Sequence, residues 1–234
     1  MRLNKYIASA GVCSRRKADE LIVNGNVKIN GSVCDKLGMD VSEDDVVSVN
    51  GRVINGEKKR VYFALNKPAG YITSMDDEKG RPAVSELVSD ITDRVFPVGR
   101  LDYNTTGLLI MTNDGDVANR MAHPSGEVYK TYVAEVEGVV SSRRIDRLRK
   151  GVDIGGWITA PAKVRLIKQK PKSAVLEISI REGKNRQVRK MCAAVGNRVQ
   201  KLERISIGEI RLGRLKEGHY RKLTREEIDY LKSL

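Results

Sequence analysis

The sequence VFPVGRLDYNTTGLLIM occupies residues 95–111, where two apolar segments flank a polar loop bounded by Gly99 and Gly107. Short apolar runs on either side of such a loop predict two buried strands joined by an exposed turn. Loops held by buried strands often present the side chains that carry out chemistry. This loop presents Arg100 and Asp102, although on the local pattern alone Asp102 is better explained as a turn residue.

Charge gives the first indication of a partner. The 234 residues include 43 lysines and arginines against 30 aspartates and glutamates, a formal net charge of +13. Such an excess indicates a polyanionic partner, and nucleic acid is the predicted one. An anionic membrane is the competing partner, but the apolar runs are too short to span a bilayer and no basic amphipathic helix stands out. The start of the chain lacks a signal-peptide pattern, so we expect a cytoplasmic protein.

Residues 1–51 predict a small α+β unit. Two short helices, the second capped by Ser14, are followed by two strand-and-turn patterns that end in Asn30-Gly31 and Asn50-Gly51. Basic side chains concentrate at one end of the unit, and they include Lys5, Arg15, Arg16 and Lys17. A solvated helix face is the plain interpretation, but basic residues at a helix start, where backbone N–H groups also attract phosphate, favour phosphate binding. The polar residues 52–60 predict a linker.

From residue 61 onward the pattern predicts a larger α+β unit of mostly antiparallel strands with packed helices. The predicted strands cover residues 61–66, 71–74, 95–98, 108–112, 130–137 and 174–180, with two short strands around Val164 and Ile167. The predicted helices cover residues 83–88, 117–122, 141–150 and 225–231, with another starting near Asn185. Between Arg181 and Lys222 stand thirteen basic residues against four acidic ones, the strongest electrostatic footprint in the chain.

Motifs in both units resemble known RNA-associated proteins. Residues 2–7, 13–19, 25–31 and 45–51 resemble the RNA-binding domain first named from a small-subunit ribosomal protein of the S-four type, which implies binding of structured RNA and no particular reaction. Residues 99–109 resemble the signature loop of pseudouridine synthases, and residues 180–191 resemble their C-terminal motif; residues 65–68, 130–132 and 223–224 fit as well. The whole chain therefore resembles the RsuA/RluB/RluF-like pseudouridine synthases, the branch that carries an S-four-type domain.

The resemblance implies a role for each matching residue. Asp102 would be the catalytic carboxylate that promotes cleavage of the uridine C1′–N1 bond, with Arg189 as an ion-pair partner that keeps its pKa low. Tyr132 would stack on the target base and hydrogen-bond near Asp102, and Ile180 would close the apolar side of the pocket. Arg100 would enter the RNA stack in place of the flipped nucleotide.

The predicted partner is ribosomal RNA, bound by a monomeric enzyme that needs no cofactor and no metal. Further RNA contacts are expected from basic residues in both units, namely Lys5, Arg15, Arg16, Lys17, Lys184 and Arg186. The three scattered cysteines and two isolated histidines give little support to a disulfide framework, a metal site or a histidine-based hydrolase.

The domain limits predicted from these patterns are residues 1–51 for RNA binding, 52–60 for the linker and 61–234 for catalysis. Large-subunit ribosomal RNA is the predicted substrate, and a small-subunit target is the alternative. A non-catalytic assembly factor is a rival that the joint presence of Asp102, Tyr132 and Arg189 disfavours. A glycoside hydrolase is a second rival, but it needs two carboxylates about the sugar bond, and Asp102 has no convincing motif partner.

Overall fold

A computed structural model of the chain describes residues 1–56, 58–122 and 128–234, and the chain divides into two compact units. The first unit comprises Met1–Val61, Thr92–Arg94 and Asn113–Gly115, and the second comprises Tyr62–Ile91, Val95–Thr112 and Asp116–Leu234. Each combines helices with a mostly antiparallel sheet, so the predicted α+β class is confirmed. Among the described residues, no helix combines the length and apolar character that a membrane span requires.

The first unit contains two helices and a four-stranded sheet. The helices are α1, Leu3–Ser9, and α2, Arg15–Val23. The strands are β1, Val27–Ile29; β2, Ser32–Val33; β3, Val47–Val49; and β4, Arg52–Val53, in the order β2-β1-β3-β4. Apolar side chains from both helices and from β1 and β3 form its core. The Ser14 side chain accepts a hydrogen bond from the Lys17 backbone N–H, which confirms the predicted helix cap.

The end of the first unit differs from the predicted limit at residue 51. Arg52 and Val53, which the polar composition assigned to a linker, form β4 because they pair with Val49 and Ser48 across the Asn50-Gly51 turn. The first unit therefore extends into the predicted linker. Glu57, within that linker, lies outside the described residues, and the remaining domain limits stay a prediction.

The second unit is built on a nine-stranded sheet. Its strands are β5, Tyr62–Lys67; β6, Phe96–Val98; β7, Thr106–Thr112; β8, Lys130–Glu137; β9, Lys163–Gln169; β10, Ser173–Ile180; β11, Val199–Ile207; β12, Ile210–Arg211; and β13, Tyr220–Lys222. The main path is β13-β5-β7-β11-β8-β10-β9, with β6 beside β7 and β12 beside β11. Among the described strands only β7 and β11 pair in parallel, and all the others pair antiparallel.

Four α-helices and one 3-10 helix accompany this sheet. The α-helices are α3, Gly115–Ala122; α4, Ser142–Lys150; α5, Gln187–Ala194; and α6, Arg225–Ser233. The 3-10 helix, Glu86–Val88, is shorter than the helix predicted over residues 83–88. At α6 the predicted capping box is confirmed, because the Thr224 hydroxyl accepts from the Glu227 N–H while the Glu227 carboxylate accepts from the Thr224 N–H.

Several strands differ from the sequence prediction. Residues 71–74 form no strand and contribute only the isolated bridge between Ile72 and Ala83. The two short strands expected around Val164 and Ile167 are one strand, β9. The central strand β11 and the edge strand β13 were not predicted at all.

Gly107 allows β7 and β11 to lie side by side. Its φ of +102° is a conformation that L side chains rarely adopt, and a Cβ built on it would lie 2.3 Å from the Arg204 carbonyl oxygen. On the other side of β11, Arg204 pairs with Tyr132 of β8, and Tyr132 pairs with Ile178 of β10. The loop that precedes β7 is thereby brought to the same part of the sheet as Tyr132 and Ile180.

Candidate active site

The loop that carries Asp102 is fixed by hydrogen bonds on both sides of this residue. The Leu101 N–H donates to the Thr73 hydroxyl at 3.1 Å, and the same hydroxyl donates back to the Leu101 carbonyl oxygen at 2.8 Å. The Gly70 N–H donates to the Tyr103 carbonyl oxygen at 2.9 Å. Because the backbone is held before and after Asp102, its half-buried carboxylate projects from a preorganised loop.

Lys67, the last residue of β5, lies beneath this loop and is completely buried. Its ammonium group donates to the carbonyl oxygens of Pro68 at 2.8 Å, Thr105 at 3.0 Å and Tyr103 at 3.4 Å. Burial lowers the pKa of Lys67 to about 8, against the opposing effect of the nearby Asp102 carboxylate. Lys67 lies in one of the motifs that resemble the family, residues 65–68, but the sequence alone assigns it no role. The structure makes it the cation that ties β5 to the Asp102 loop.

The Arg189 side chain contacts oxygen atoms of the loop beyond Asp102, and it does not contact the Asp102 carboxylate. Its guanidinium donates to the Asn104 carbonyl oxygen at 2.7 Å and to the Thr105 hydroxyl at 3.4 Å, and also to the Val199 carbonyl oxygen at 3.3 Å. Asp102 and Arg189 both belong to the described residues, and they form no ion pair. The expected direct pair is therefore wrong for this structure, because α5 directs the guanidinium at the loop backbone beyond Asp102.

Arg189 and Asp102 interact electrostatically although they do not touch. Its pKa is lowered, mainly by burial and then by the neighbouring Arg186, while Asp102 acts in the opposite direction. Asp102 and Arg189 are therefore electrostatically coupled without direct contact. In the described part of the chain, the Arg189 Nε has no hydrogen-bond partner, although it is buried.

Tyr132 and Ile180 lie on adjacent strands at the same part of the sheet as the loop. Both side chains are buried, with 9% of Tyr132 and 4% of Ile180 exposed. Strands β8 and β10 pair Tyr132 with Ile178, so Tyr132 and Ile180 project from the same face of the sheet. Among the described residues, the Tyr132 hydroxyl has no hydrogen bond, so the predicted hydrogen bond near Asp102 is not formed. The catalytic roles of Asp102, Tyr132 and Arg189 stay predictions.

Arg204 is a buried cation that sequence analysis missed. Only 3% of it is exposed, and its Nε donates to the Leu108 carbonyl oxygen at 2.8 Å across the β7–β11 pair. The charge of Arg204 contributes, after burial, to a lowered pKa of Lys130. A charged residue inside a strand gives no pattern signal, so only the packed sheet identifies Arg204 as the residue that locks β11 onto β7.

A basic groove of about 720 Å³ begins at the Asp102 loop. Asn104 contributes the loop side, and the other lining residues include the cations Arg186, Arg189, Lys190 and Arg198. Four cations around one groove form a favourable environment for the phosphates of a nucleic acid. From the sequence, Arg186 was predicted as an RNA contact and Arg189 as the partner of Asp102, whereas Lys190 and Arg198 were recognised only as members of the basic cluster.

The other predicted RNA contacts lie at the surface. Arg100 and Lys184 of the second unit are exposed, as are Arg15, Arg16 and Lys17 of the first unit, whereas Lys5 is half-buried. Lys17 also forms an ion pair with Glu20 at 2.7 Å. Within residues 1–56, 58–122 and 128–234, no group of three or more histidine, cysteine, aspartate or glutamate side chains is placed to hold a metal ion.

Comparison with known proteins identifies the family to which the chain belongs. A family model for RNA pseudouridylate synthase matches residues 61–194, and a model for the S4 domain matches residues 1–47. The chain is 44% identical over its full length to ribosomal large subunit pseudouridine synthase B of Bacillus subtilis, of which 96% is covered. It is 38% identical to the dual-specificity RNA pseudouridine synthase RluF of Escherichia coli, over 97% of this chain and 77% of that protein.

A crystal structure of a pseudouridylate synthase has the same fold, with a TM-score of 0.71 at 31% identity over 99% of both chains. The chain therefore belongs to the RNA pseudouridylate synthase family and begins with an S4 domain. The predicted family and the predicted class of enzyme, a pseudouridine synthase, are confirmed.

Proposed function

We propose that this enzyme converts a uridine of large-subunit ribosomal RNA to pseudouridine and that Asp102 is its catalytic carboxylate. The observation that carries the proposal is the fixed loop, which presents one half-buried carboxylate and whose backbone oxygens accept hydrogen bonds from the buried Lys67 and from the guanidinium of Arg189. The substrate class is inferred from the Bacillus subtilis relative, which is named as a large-subunit pseudouridine synthase.

The reaction replaces one glycosidic bond with another. The C1′–N1 bond breaks, the detached uracil turns, C5 bonds to C1′, and the proton on C5 is released while N1 takes up a proton. A carboxylate that is ionised at neutral pH promotes the first step, either by attack on C1′ or by removal of the 2′ proton. Because product and substrate are isomers, the reaction consumes no external energy source, and we propose that it uses no cofactor.

The residues around Asp102 receive roles that suit their chemistry. Tyr132 stacks on the target base, and Ile180 closes the apolar side of the pocket from the next strand. Arg100 is exposed before the carboxylate and takes the position of the flipped nucleotide, since a planar guanidinium both stacks and binds phosphate. The enzyme thereby acts on a base that has left its helix.

Binding of phosphates offsets the extrusion of the base, which costs roughly a few kcal/mol. In the second unit, the groove lined by Arg186, Lys190 and Arg198 supplies this binding next to the loop. The remaining proposed contacts with RNA are Lys184 and, in the first unit, Lys5, Arg15, Arg16 and Lys17. We also propose that the enzyme works as a monomer in the cytoplasm, which light scattering and cell fractionation test.

The Asp102→Asn variant tests the catalytic assignment. Asparagine preserves the shape of the side chain but cannot act as an anionic nucleophile or base, and the hydrogen bonds of the loop backbone are unchanged. Release of tritium from ribosomal RNA labelled at uridine C5 should be abolished, with RNA affinity changed by less than about tenfold, a difference of about 1.4 kcal/mol. Asp76→Asn, which removes an exposed carboxylate, is the matched control and should release tritium normally.

Undiminished tritium release by Asp102→Asn would overturn the assignment of Asp102 as the catalytic carboxylate. Absence of release by the unmodified enzyme would instead identify a non-catalytic RNA-binding protein. The target is tested separately by mapping pseudouridines in cells that lack the protein. We expect loss of modification in large-subunit RNA, and loss confined to small-subunit RNA would overturn the substrate assignment.

A further inference from the structure

Trp157, the single tryptophan of the chain, lies in a fixed turn and is 47% exposed. The Asp153 carboxylate accepts hydrogen bonds from the N–H groups of Gly155 at 2.8 Å and Gly156 at 2.9 Å. The Ile154 N–H donates to the Trp157 carbonyl oxygen at 2.9 Å. The turn is therefore held in place by its own hydrogen bonds, and it presents a large aromatic side chain to solvent in a preorganised position.

The turn is tied to the basic segment that follows β10. The Lys184 ammonium lies 4.0 Å from the centroid of the Trp157 ring. The Glu182 carboxylate accepts a hydrogen bond from the Ala160 N–H at 3.1 Å and another from the Gln187 side chain at 2.8 Å. Glu182 thus connects the Trp157 turn with the start of α5, and it keeps Lys184 and Trp157 together.

Tyr129, which directly precedes β8, is a second aromatic side chain with cations over its ring, and one of them, Arg181, follows β10. The Lys163 ammonium lies 4.4 Å and the Arg181 guanidinium 5.4 Å from the centroid of the Tyr129 ring. We name Trp157, Lys184, Tyr129, Lys163 and Arg181 together the Trp157 patch. Aromatic side chains interleaved with cations are typical of surfaces that stack nucleobases and hold the phosphates between them.

The Trp157 patch continues toward the candidate active site. The Lys130 ammonium donates to the Arg181 carbonyl oxygen at 3.4 Å, and Lys130 precedes Tyr132 by two residues on β8. Arg181 itself follows Ile180, the residue proposed to close the base pocket. An RNA strand whose target uridine lies at Tyr132 would therefore have a flanking nucleotide near Arg181, the member of this patch that adjoins Ile180.

We propose that the Trp157 patch is a second RNA subsite, in which an unpaired nucleobase flanking the target uridine stacks on Trp157 while its phosphate contacts Lys184. The inference rests on the proposed function, because it takes RNA as the ligand. Charge favours RNA over a protein partner here, since three cations surround the two rings and a protein-docking surface is typically depleted of lysine. A protein occupant remains an outcome of the experiment.

Tryptophan fluorescence gives a direct test, because Trp157 is the only tryptophan. The full-length protein is titrated with a short single-stranded oligoadenylate and with an abasic oligonucleotide of the same length and charge. Stacking requires a base, so the oligoadenylate should quench Trp157 and the abasic strand should not. Equal quenching by both strands would overturn the inference, because it would reflect phosphate binding alone. Absence of quenching by either strand would also overturn it and leave a protein as the occupant.

Variants supply the second test, read by fluorescence anisotropy of labelled large-subunit RNA fragments. Trp157→Ala should raise Kd about tenfold, and Trp157→Phe, which keeps an aromatic face, should recover most of the affinity. Ile158→Ala removes an apolar side chain that is 74% exposed beside Trp157, and it is the matched control with expected affinity unchanged. Circular dichroism verifies that each variant is folded.

The two proposals fail in distinguishable ways. Normal tritium release together with unchanged affinity of Trp157→Ala would overturn only the second RNA subsite. Absence of tritium release together with oligoadenylate quenching and weakened binding by Trp157→Ala would overturn only the proposed catalysis. The Trp157 subsite would then belong to a non-catalytic RNA-binding protein.

Discussion

Asp102 is held by the backbone around it, and this has a chemical advantage over a direct ion pair. Among the described residues none donates a hydrogen bond to its carboxylate, while Thr73, Lys67 and Arg189 bind the neighbouring carbonyl and hydroxyl oxygens. Both carboxylate oxygens therefore remain available for the substrate of the proposed reaction. A cation bonded directly to them would have to be displaced or shared during attack on C1′ or proton removal.

Lys67 should give the stability of the protein a characteristic pH dependence. Its pKa is about 8 in the folded protein against an ordinary 10.5, so between these pH values the unfolded chain binds more protons. The free energy of unfolding then rises with pH across this interval. We expect the stability of the unmodified protein minus that of Lys67→Met to increase by up to about 2 kcal/mol between pH 8 and pH 10.5, measured by urea denaturation.

Taking the difference between the two proteins removes the titration of every group they share. A difference that stays constant over the interval would contradict the lowered pKa. A difference that falls with rising pH would show that burial is outweighed by interactions that favour the charged ammonium.

The sequence identifies Arg100 and Asp102 as the candidate residues of the loop, but it does not identify the contacts that support the loop. Arg100 and Asp102 are recognisable because the motif contains their side chains. The partners of Lys67 and Arg189 are mostly carbonyl oxygens, which every residue possesses and no sequence pattern marks. The expected ion pair between Asp102 and Arg189 was wrong for the same reason, because the Arg189 guanidinium donates its hydrogen bonds to backbone carbonyl oxygens that no sequence pattern marks.

At the scale of elements, the pairing of β7 with β11 determines where the loop lies. These two strands are the parallel pair of the described sheet. At Gly107 the backbone of β7 comes close to the backbone of β11 at Arg204. Gly107→Ala should destabilise the protein by more than about 3 kcal/mol, because the added Cβ would overlap the Arg204 carbonyl oxygen and require strained backbone. Thermal and urea unfolding measure the loss.

Gly99→Ala is the matched control for this prediction. Gly99 also has a positive φ, +72°, but a Cβ there would meet no atom within 4 Å among the described residues. Its substitution should cost only about 1 kcal/mol of backbone strain. Equal losses for the two variants would show that conformation alone, and not the contact between β7 and β11, makes Gly107 necessary.

Elements with a clean periodic pattern were predicted well, and β11 shows why others were not. Strand β8 was predicted over residues 130–137 and has these limits, because buried and half-buried residues alternate along most of it. In β11 the register shifts between Val199 and Lys201 and again between Arg204 and Ser206, so the alternation is broken. Charged residues inside the strand, including the buried Arg204, hide it further.

For the whole molecule, the net charge of +13 predicts RNA binding that weakens strongly with salt. Arg15 and Arg16 are exposed at the start of α2, so both are free to contact phosphate. Replacing both by glutamine should reduce the slope of log affinity against log salt by about 1 to 2. The affinity for RNA is measured by anisotropy over a series of salt concentrations.

Lys17→Gln is the matched control within the same helical turn. Lys17 is paired with Glu20 at 2.7 Å, so it has less to contribute to an added phosphate contact. The salt slope of Lys17→Gln should therefore change by less than half of the change in the double variant. An unchanged slope for the double variant would remove α2 from the proposed RNA surface.

The two sheets require different lengths of chain before their strands can all pair during synthesis. In the first unit, the strands β1 to β4 all lie within the first 53 residues, so this sheet needs only the beginning of the chain. In the second, β13 completes the edge beside β5, and Asn66 hydrogen-bonds to Leu215 across 149 residues. Contacts of such long range form late. A growing chain can therefore complete the four-stranded sheet of the first unit well before the nine-stranded sheet of the second.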